Sequence, residues 1–188
     1  MSKIEIKPYR PVYPSPAALI TCVDEAGRAN IITLGEVFNI SIRSPVIIGI
    51  AIRPATHSHG LISKTREYVV NLPSAAIVEQ VDQCGMVSGG DGIDKFDRFE
   101  LSPIPASVVK PPLIDECPMN IECKVIGIQT IGDHDLFLGE VVAVHVDDDK
   151  VDGNGNILPD RLDPVSYIGS EYWSLGQRLA RHGFSKAD

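Results

Sequence analysis

The residues best suited to chemistry lie between positions 53 and 66. Arg53, Lys64 and Arg66 occur there with no carboxylate, alongside Thr56, His57, Ser58 and His59. A phosphate needs converging hydroxyl, guanidinium and backbone N–H donors, and a short helix predicted to begin after Ser58 would add orphan amides and its dipole. The segment is therefore predicted to be a local anion site. The alternative is a capped helix with solvated charges, because Ser and Thr are common caps. The chain around it is acidic: 17 Lys and Arg against 25 Asp and Glu give a formal charge of −8 over 188 residues. That excess repels phosphodiester backbones over most of the surface, so nucleic acid is not an expected partner.

Other candidate groups point away from metals and nucleotide motifs. His57-Ser58-His59 places two histidines on opposite faces of an extended segment, or poorly aligned on a helix, and neither matches a His-x-x-x-His ligand pair. Cys22, Cys84, Cys117 and Cys123 form no CxxC pair and have no zinc-finger spacing, so reduced, buried thiols are expected. Residues 147–156 (DDDKVDGNGN) resemble a calcium loop, but Lys150 and Val151 stand where oxygen ligands are needed, and a solvated turn is the reading. No G-x-G-x-x-G, G-x-x-x-x-G-K-[ST] or G-x-S-x-G occurs.

The elements that must position these residues are mostly strands. Residues 17–23 and 29–35 form β-prone runs around the turn at Asp24-Glu25-Ala26-Gly27, a predicted hairpin. Residues 45–52 give a third run, rich in β-branched residues. A short helix is predicted over 59–65, a strand over 67–72, and a helix over 75–84, capped by Ser74 and ended near Gly85. Residues 85–92 hold four glycines and read as loop. Three more β runs are predicted over 112–117, 119–129 and 136–146, with a turn at 132–135 between the last two. Short strands joined by close turns predict a mainly β protein, a closed or nearly closed barrel with a few short helices. At this length one domain is expected, with a core over about 12–147 and a C-terminal extension over 148–188. The N-terminal stretch has no apolar h-region and no run reaches a membrane span, so a cytoplasmic protein is expected, without a membrane partner.

Five pieces then occur in a telling order: Asn30-x-x-Thr33; Ser44-Pro45 before the third apolar run; Arg53-Pro54-x-Thr56-His57-Ser58; Tyr68-Val69-Val70-Asn71; and Ser88-Gly89-x-Asp91-x-x-Asp94-Lys95-Phe96. In this the chain resembles the flavin reductase-like, FMN-binding split-barrel family, which includes flavoredoxins and related ferric reductases. The match runs from about residue 12 to 147, with a fainter echo in Tyr167 and Tyr172 to Gly176. The resemblance implies a Greek-key split barrel that forms a homodimer and holds FMN non-covalently near the subunit interface. It implies that Thr33, Leu34, Gly35 and Glu36 lie beside the isoalloxazine, and that Arg53, Thr56 and Ser58 bind the phosphate. Close relatives often have Arg where this chain has Thr56, which shifts the expected phosphate contact toward Arg53 or Lys95. Lys95 and Phe96 are expected to border the cofactor, and Asn30, His57 and Ser88 to belong to the same site.

The implied activity is an NAD(P)H-dependent flavin or ferric reductase, with NADH or NADPH as co-substrate and no side chain required as a general base, since the flavin performs the redox chemistry. A flavoredoxin-like electron carrier reduced by a partner protein is the alternative, and a barrel that binds no cofactor is a third. The aromatics of the tail, Tyr172 and Trp173, read as core residues.

Overall fold

The computed structural model of the chain describes residues 1–10 and 12–186. Its strands are β1 (Ser15–Pro16), β2 (Ala18–Val23), β3 (Ala29–Leu34), β4 (Val37–Ser41), β5 (Ile47–Ile52), β6 (Glu67–Leu72), β7 (Pro103–Ile104), β8 (Leu113–Ile114), β9 (Met119–Ile131), β10 (His134–Val146), β11 (Val165–Ile168) and β12 (Glu171–Ser174). The helices that matter for the site are α1 (His57–Thr65), α2 (Val78–Met86) and α3 (Lys95–Arg98). Seven strands form one antiparallel sheet in the order β3-β2-β6-β9-β10-β5-β4.

That order dictates the shape. β3 and β4 are opposite edges of the sheet, yet only Gly35 and Glu36 separate them in sequence. The three steps from Leu34 to Val37 span at most about 11 Å, so the sheet must curl until its edges meet. The Ala51 amide donates to the Glu36 carbonyl at 3.0 Å and closes one end. Between β3 and β5 the seam is not laddered, and the barrel is split there.

Side-chain alternation builds two cores from one strand. On β2, Ala18, Ile20 and Cys22 point into the barrel with Ile50, Ile52, Tyr68 and Phe137. Leu19, on the other face, joins Ile31, Val81, Cys84 and Phe96 beneath α2 and α3. β2 is buried along its whole length for this reason.

Several boundaries differ from the sequence expectation. α1 begins at His57 rather than His59. Ser74 makes no side-chain cap; the Ala75 amide donates instead to the Asp163 carbonyl, a 3-10 turn spans Ala75–Ile77, and α2 runs on to Met86. Gly85 lies inside α2 because its missing side chain lets the helix approach Thr33, whose Cβ would be 3.2 Å from a Cβ there. The predicted run over 112–117 is strand only at β8. β4, β11 and β12 were not expected. Of the tail aromatics expected in a core, Tyr172 packs against the second core but Trp173 is 52% exposed.

Candidate functional site

The N-terminus of α1 opens onto the split in the barrel. Thr56 is the cap: its backbone is extended and its hydroxyl accepts from the His59 amide at 3.3 Å. Ser58, expected as the cap, lies inside the first turn, where its buried hydroxyl accepts from Asn30 Nδ2 at 2.8 Å. The three cations expected to converge do not. Lys64 lies in the last turn of α1 and Arg66 caps it with φ +60°, about 13 Å from the end at Thr56 for nine residues. Arg53 is exposed, lies 3.9 Å from Asp133, and lines none of the cavities described below. The segment is free of carboxylates only along the sequence, since the β9–β10 hairpin brings Asp133 to Arg53 and Asp135 to within 2.7 Å of His59 Nε2.

A different set converges instead. A cavity of about 300 Å³ lies between the free edge of β3, the start of α1 and the end of α2. Asn30, Thr56, His57, Ser58, Ser88 and Lys95 all line it. Asn30 is 6% exposed; its Nδ2 is used by Ser58, and its Oδ1 has no partner. A buried amide oxygen left unpaired costs about 1–3 kcal/mol, so this side chain is set up to meet a ligand group. Lys95 is 3% exposed, and its ammonium donates to the carbonyls of Ile31 and Cys84, each at 2.7 Å. Burial pushes the Lys95 ammonium below the ordinary lysine value, with Cys84 and Cys22 opposing the shift. Asp94 before it caps α3 by accepting from the amides of Phe96 and Asp97. Donors thus dominate this cavity, which suits an anion.

A second cavity of about 260 Å³ continues from the first through Gly85 and Met86. It contains Thr33, Leu34, Gly35 and Glu36, together with Arg10, Asp82, Tyr167 and Tyr172. The Thr33 hydroxyl donates to the Val81 carbonyl at 2.6 Å and fastens β3 to α2. Glu36 pairs with Arg10, which also lies over the Tyr167 ring. Tyr172 donates to Asp82 at 3.0 Å and spans the cavity from the C-terminal hairpin to α2. Phe96 faces neither of these two cavities; it is a core residue that lines a third, of about 440 Å³, beside α3.

The glycine loop after α2 is fitted to Asn30. A Cβ on Gly89 would overlap Asn30 Oδ1, and the short, bonded side chain cannot swing clear without breaking its link to Ser58. Gly89→Ala is expected to lower the unfolding free energy by about 1–3 kcal/mol, measured by urea denaturation; an unchanged midpoint would show that the loop moves aside freely.

Met86, Asp82 and Arg10 were not expected at the site, whereas Tyr167 and Tyr172 belong to the fainter family echo near the C-terminal end of the chain. The four thiols are buried and unpaired. Burial pushes Cys22 and Cys123 up to about 12 and Cys84 to about 11, so none is a thiolate at neutral pH. Among the described residues no cluster of three or more metal-ligating side chains occurs, and no helix is long and apolar enough to cross a membrane.

The family described as flavin reductase like domain matches residues 9–176. Flavoredoxin of Desulfovibrio vulgaris (Miyazaki F) is 29% identical and superimposes with a TM-score of 0.90 over 98% of this chain and 99% of its own. A split-barrel-domain protein of Shewanella frigidimarina is 28% identical, with a TM-score of 0.81 over 89% of this chain and 85% of its own. The NADH:riboflavin 5'-phosphate oxidoreductase of Streptomyces pristinaespiralis is 27% identical over 135 residues, 71% of this chain and 72% of that protein. The mainly β split barrel expected from the sequence is thus the fold observed.

Proposed function

The chain belongs to the flavin reductase-like family, and from that premise we propose that it is an FMN-holding oxidoreductase that takes hydride from a reduced nicotinamide and passes electrons to an acceptor. The observation that carries this reading is Asn30, buried at the split of the barrel with its Oδ1 unpaired, among Ser58, Lys95 and the first turn of α1. The donor set fits the group: a phosphomonoester near pH 7 carries about −1.5 to −2 charge and three acceptor oxygens, and the first cavity supplies an ammonium, hydroxyls and a helix N-terminus. The second cavity, with the Leu34, Tyr167 and Tyr172 side chains, suits a flat apolar ring.

On this reading Ser58, Thr56, His57, Ser88 and Lys95 hold the phosphate end, and Asn30 orients the chain that leaves it. Thr33, Leu34, Gly35 and Glu36 border the ring, with Glu36 kept in place by Arg10. Arg53 has a lesser part, since its guanidinium is solvated beside Asp133. When bound, FMN supplies the hydride and electron chemistry, and the protein's share is to bind, orient and shield it. Tyr167 and Tyr172 keep water from one side of the second cavity. The exposed apolar row Phe38, Ile40 and Ile42 on and after the edge strand β4 supports a homodimer.

Similarity to the Streptomyces NADH:riboflavin 5'-phosphate oxidoreductase supports direct reduction by NADH. Similarity to flavoredoxin favours a second reading, a carrier reduced by a partner protein. Anaerobic stopped-flow mixing of the FMN-loaded protein with NADH and NADPH separates them. Rapid loss of the flavin's visible absorbance is the expected result. No bleaching with either nicotinamide would leave the carrier reading, and a protein that takes up no FMN would overturn both.

A further inference from the structure

We propose that His59 and Asp135 form a positioning pair for the phosphate end of the flavin: by tying the first turn of α1 to β10, they set the chain's preference for FMN over riboflavin, which lacks the phosphate. This rests on the reading that the first cavity takes the flavin phosphate. Neither residue lines that cavity or the other two, so whatever the pair contributes passes through the turn.

The first amides of a helix have no acceptor within it. In α1 the Thr56 hydroxyl takes the amide of His59, which leaves those of His57 and Ser58, and both of these residues line the first cavity. Free amides hold an oxyanion well only while they point at one place. The start of α1 opens onto the split, however, where no ladder of strands holds it.

His59 supplies the missing anchor. Its amide closes the cap, and its ring bonds to the sheet. A carboxylate only accepts, so the His59 Nε2 carries a proton and donates to Asp135 Oδ2 at 2.7 Å. The ring stands edge-on to the fully buried Phe137, with 5.2 Å between centroids. The His59 and Asp135 side chains are 16% and 14% exposed, so the bond is sheltered from water. Asp135 is itself held in the sheet, opposite Thr130 of β9 on one side and Ile52 of β5 on the other. The laddered part of the barrel therefore carries the turn through one side chain.

Charge alone predicts the reverse outcome. A carboxylate near the start of a helix opposes an incoming phosphate, so removing Asp135 should tighten FMN if its charge were what mattered. If position matters, the same removal loosens it. The sign of one effect decides between them.

The test is equilibrium titration of the purified chain with FMN and riboflavin, followed by flavin fluorescence, in the wild type and in Asp135→Ala, His59→Phe and His59→Gln. His59→Phe keeps a ring against Phe137 and loses the bond, whereas His59→Gln keeps an N–H donor for Asp135. Asp135→Ala and His59→Phe are each expected to weaken FMN by about ten-fold while leaving riboflavin within about two-fold, and retained riboflavin binding reports that the variant is folded. His59→Gln is expected to keep both ligands within about three-fold of the wild type. The double variant Asp135→Ala with His59→Phe should bind FMN no worse than the weaker single one, because the two residues make one tie. Should His59→Phe fail to fold with Asp135 left unpaired, Asp135→Ala carries the test. Tighter FMN binding in Asp135→Ala, equal losses of FMN and riboflavin, or a loss in His59→Gln as large as in Asp135→Ala would overturn the pair. A wild type that does not prefer FMN to riboflavin fails the reading of the first cavity and the pair with it, whereas a preference kept intact in Asp135→Ala overturns the pair alone.

Discussion

Glu122→Ala is expected to cost about 3–5 kcal/mol of stability and to lower the thermal midpoint by about 10 °C for a chain of this size, read by calorimetry or denaturant titration. Glu122 lies on β9 with no solvent exposure. Its Oε1 accepts from the Ser107 amide at 2.8 Å and hydroxyl at 2.7 Å, and lies 2.6 Å from His145 Nε2. Its Oε2 accepts from the amides of Val108 and Val109 at 2.7 and 2.9 Å. The segment after β7 has no ladder of its own there, so one carboxylate satisfies three consecutive backbone amides. Removing it strands those amides beside Val109 and Leu113, which pack with Val69 in the third small core. Glu122→Gln keeps the shape and part of the acceptor capacity, and a loss of about half that size is expected. The cluster is not a nucleophilic relay, because Ser107 Oγ and Glu122 both meet the same ring nitrogen of His145, whereas such a relay uses one nitrogen for each.

The same carboxylate sets an acid limit. Burial pushes Glu122 up, but the Ser107 hydroxyl and amide, His145 and the Val109 amide outweigh it and bring the value down to about 2 from the ordinary 4.5. A carboxylate depressed in the folded state contributes stability that is present above its unfolded value and is lost as pH falls through the folded one. Wild-type stability should therefore decline between pH 4.5 and about 2. In Glu122→Ala that part of the decline should be missing; an identical acid profile in both proteins would show that the carboxylate is not held as described.

The parts of this architecture that local rules govern were legible beforehand. The β2–β3 hairpin could be read from two β-prone runs around Asp24-Glu25-Ala26-Gly27, where the Gly27 amide bonds to the Asp24 carbonyl and φ is +84°. The long β9–β10 pair followed from apolar runs around Gly132. β4 was missed because it is an edge strand whose middle residues face solvent and carry no buried alternation. The anion site was assigned to residues 53–66 for a partly mistaken reason. Sequence shows that residues 53–66 lack carboxylates, but not that Asp133 and Asp135 arrive from 76 or more residues away. Nor does it show that Lys64 and Arg66 point to the wrong end of α1. Asn30 and Lys95 entered only through the family pattern, because their partners, Ser58 and the carbonyls of Ile31 and Cys84, are joined by the fold alone. Tyr167 and Tyr172 carried only a faint family echo, and the β1–β11 pairing that brings them from the far end of the chain to the second cavity could not be read from their neighbours.

Lys95 is where fold and function are hardest to separate, and two substitutions separate them. Lys95→Met removes both the charge and the bonds to Ile31 and Cys84. Two buried carbonyls lose charge-assisted partners, so a loss of about 2–4 kcal/mol is expected by urea denaturation. FMN affinity is expected to fall by about 100-fold, equivalent to roughly 2.8 kcal/mol, because the one buried ammonium lining the first cavity is gone and α2 is no longer fastened to the edge of β3 at that point. Lys95→Gln keeps N–H donors for the same carbonyls without the charge. If the ammonium acts mainly on the phosphate, this variant should recover most of the stability and still bind FMN poorly, while its affinity for riboflavin, which has no phosphate, stays near that of the wild type. pH offers an independent check. Since burial lowers the Lys95 value, the free protein sheds this proton at a lower pH than an exposed lysine would, and a bound phosphate must raise the value again. FMN affinity should therefore decline on the alkaline side, and the decline should be absent for riboflavin and for Lys95→Gln. Equal alkaline losses for FMN and riboflavin would place the phosphate away from Lys95 and leave the lysine as a tie between β3 and α2.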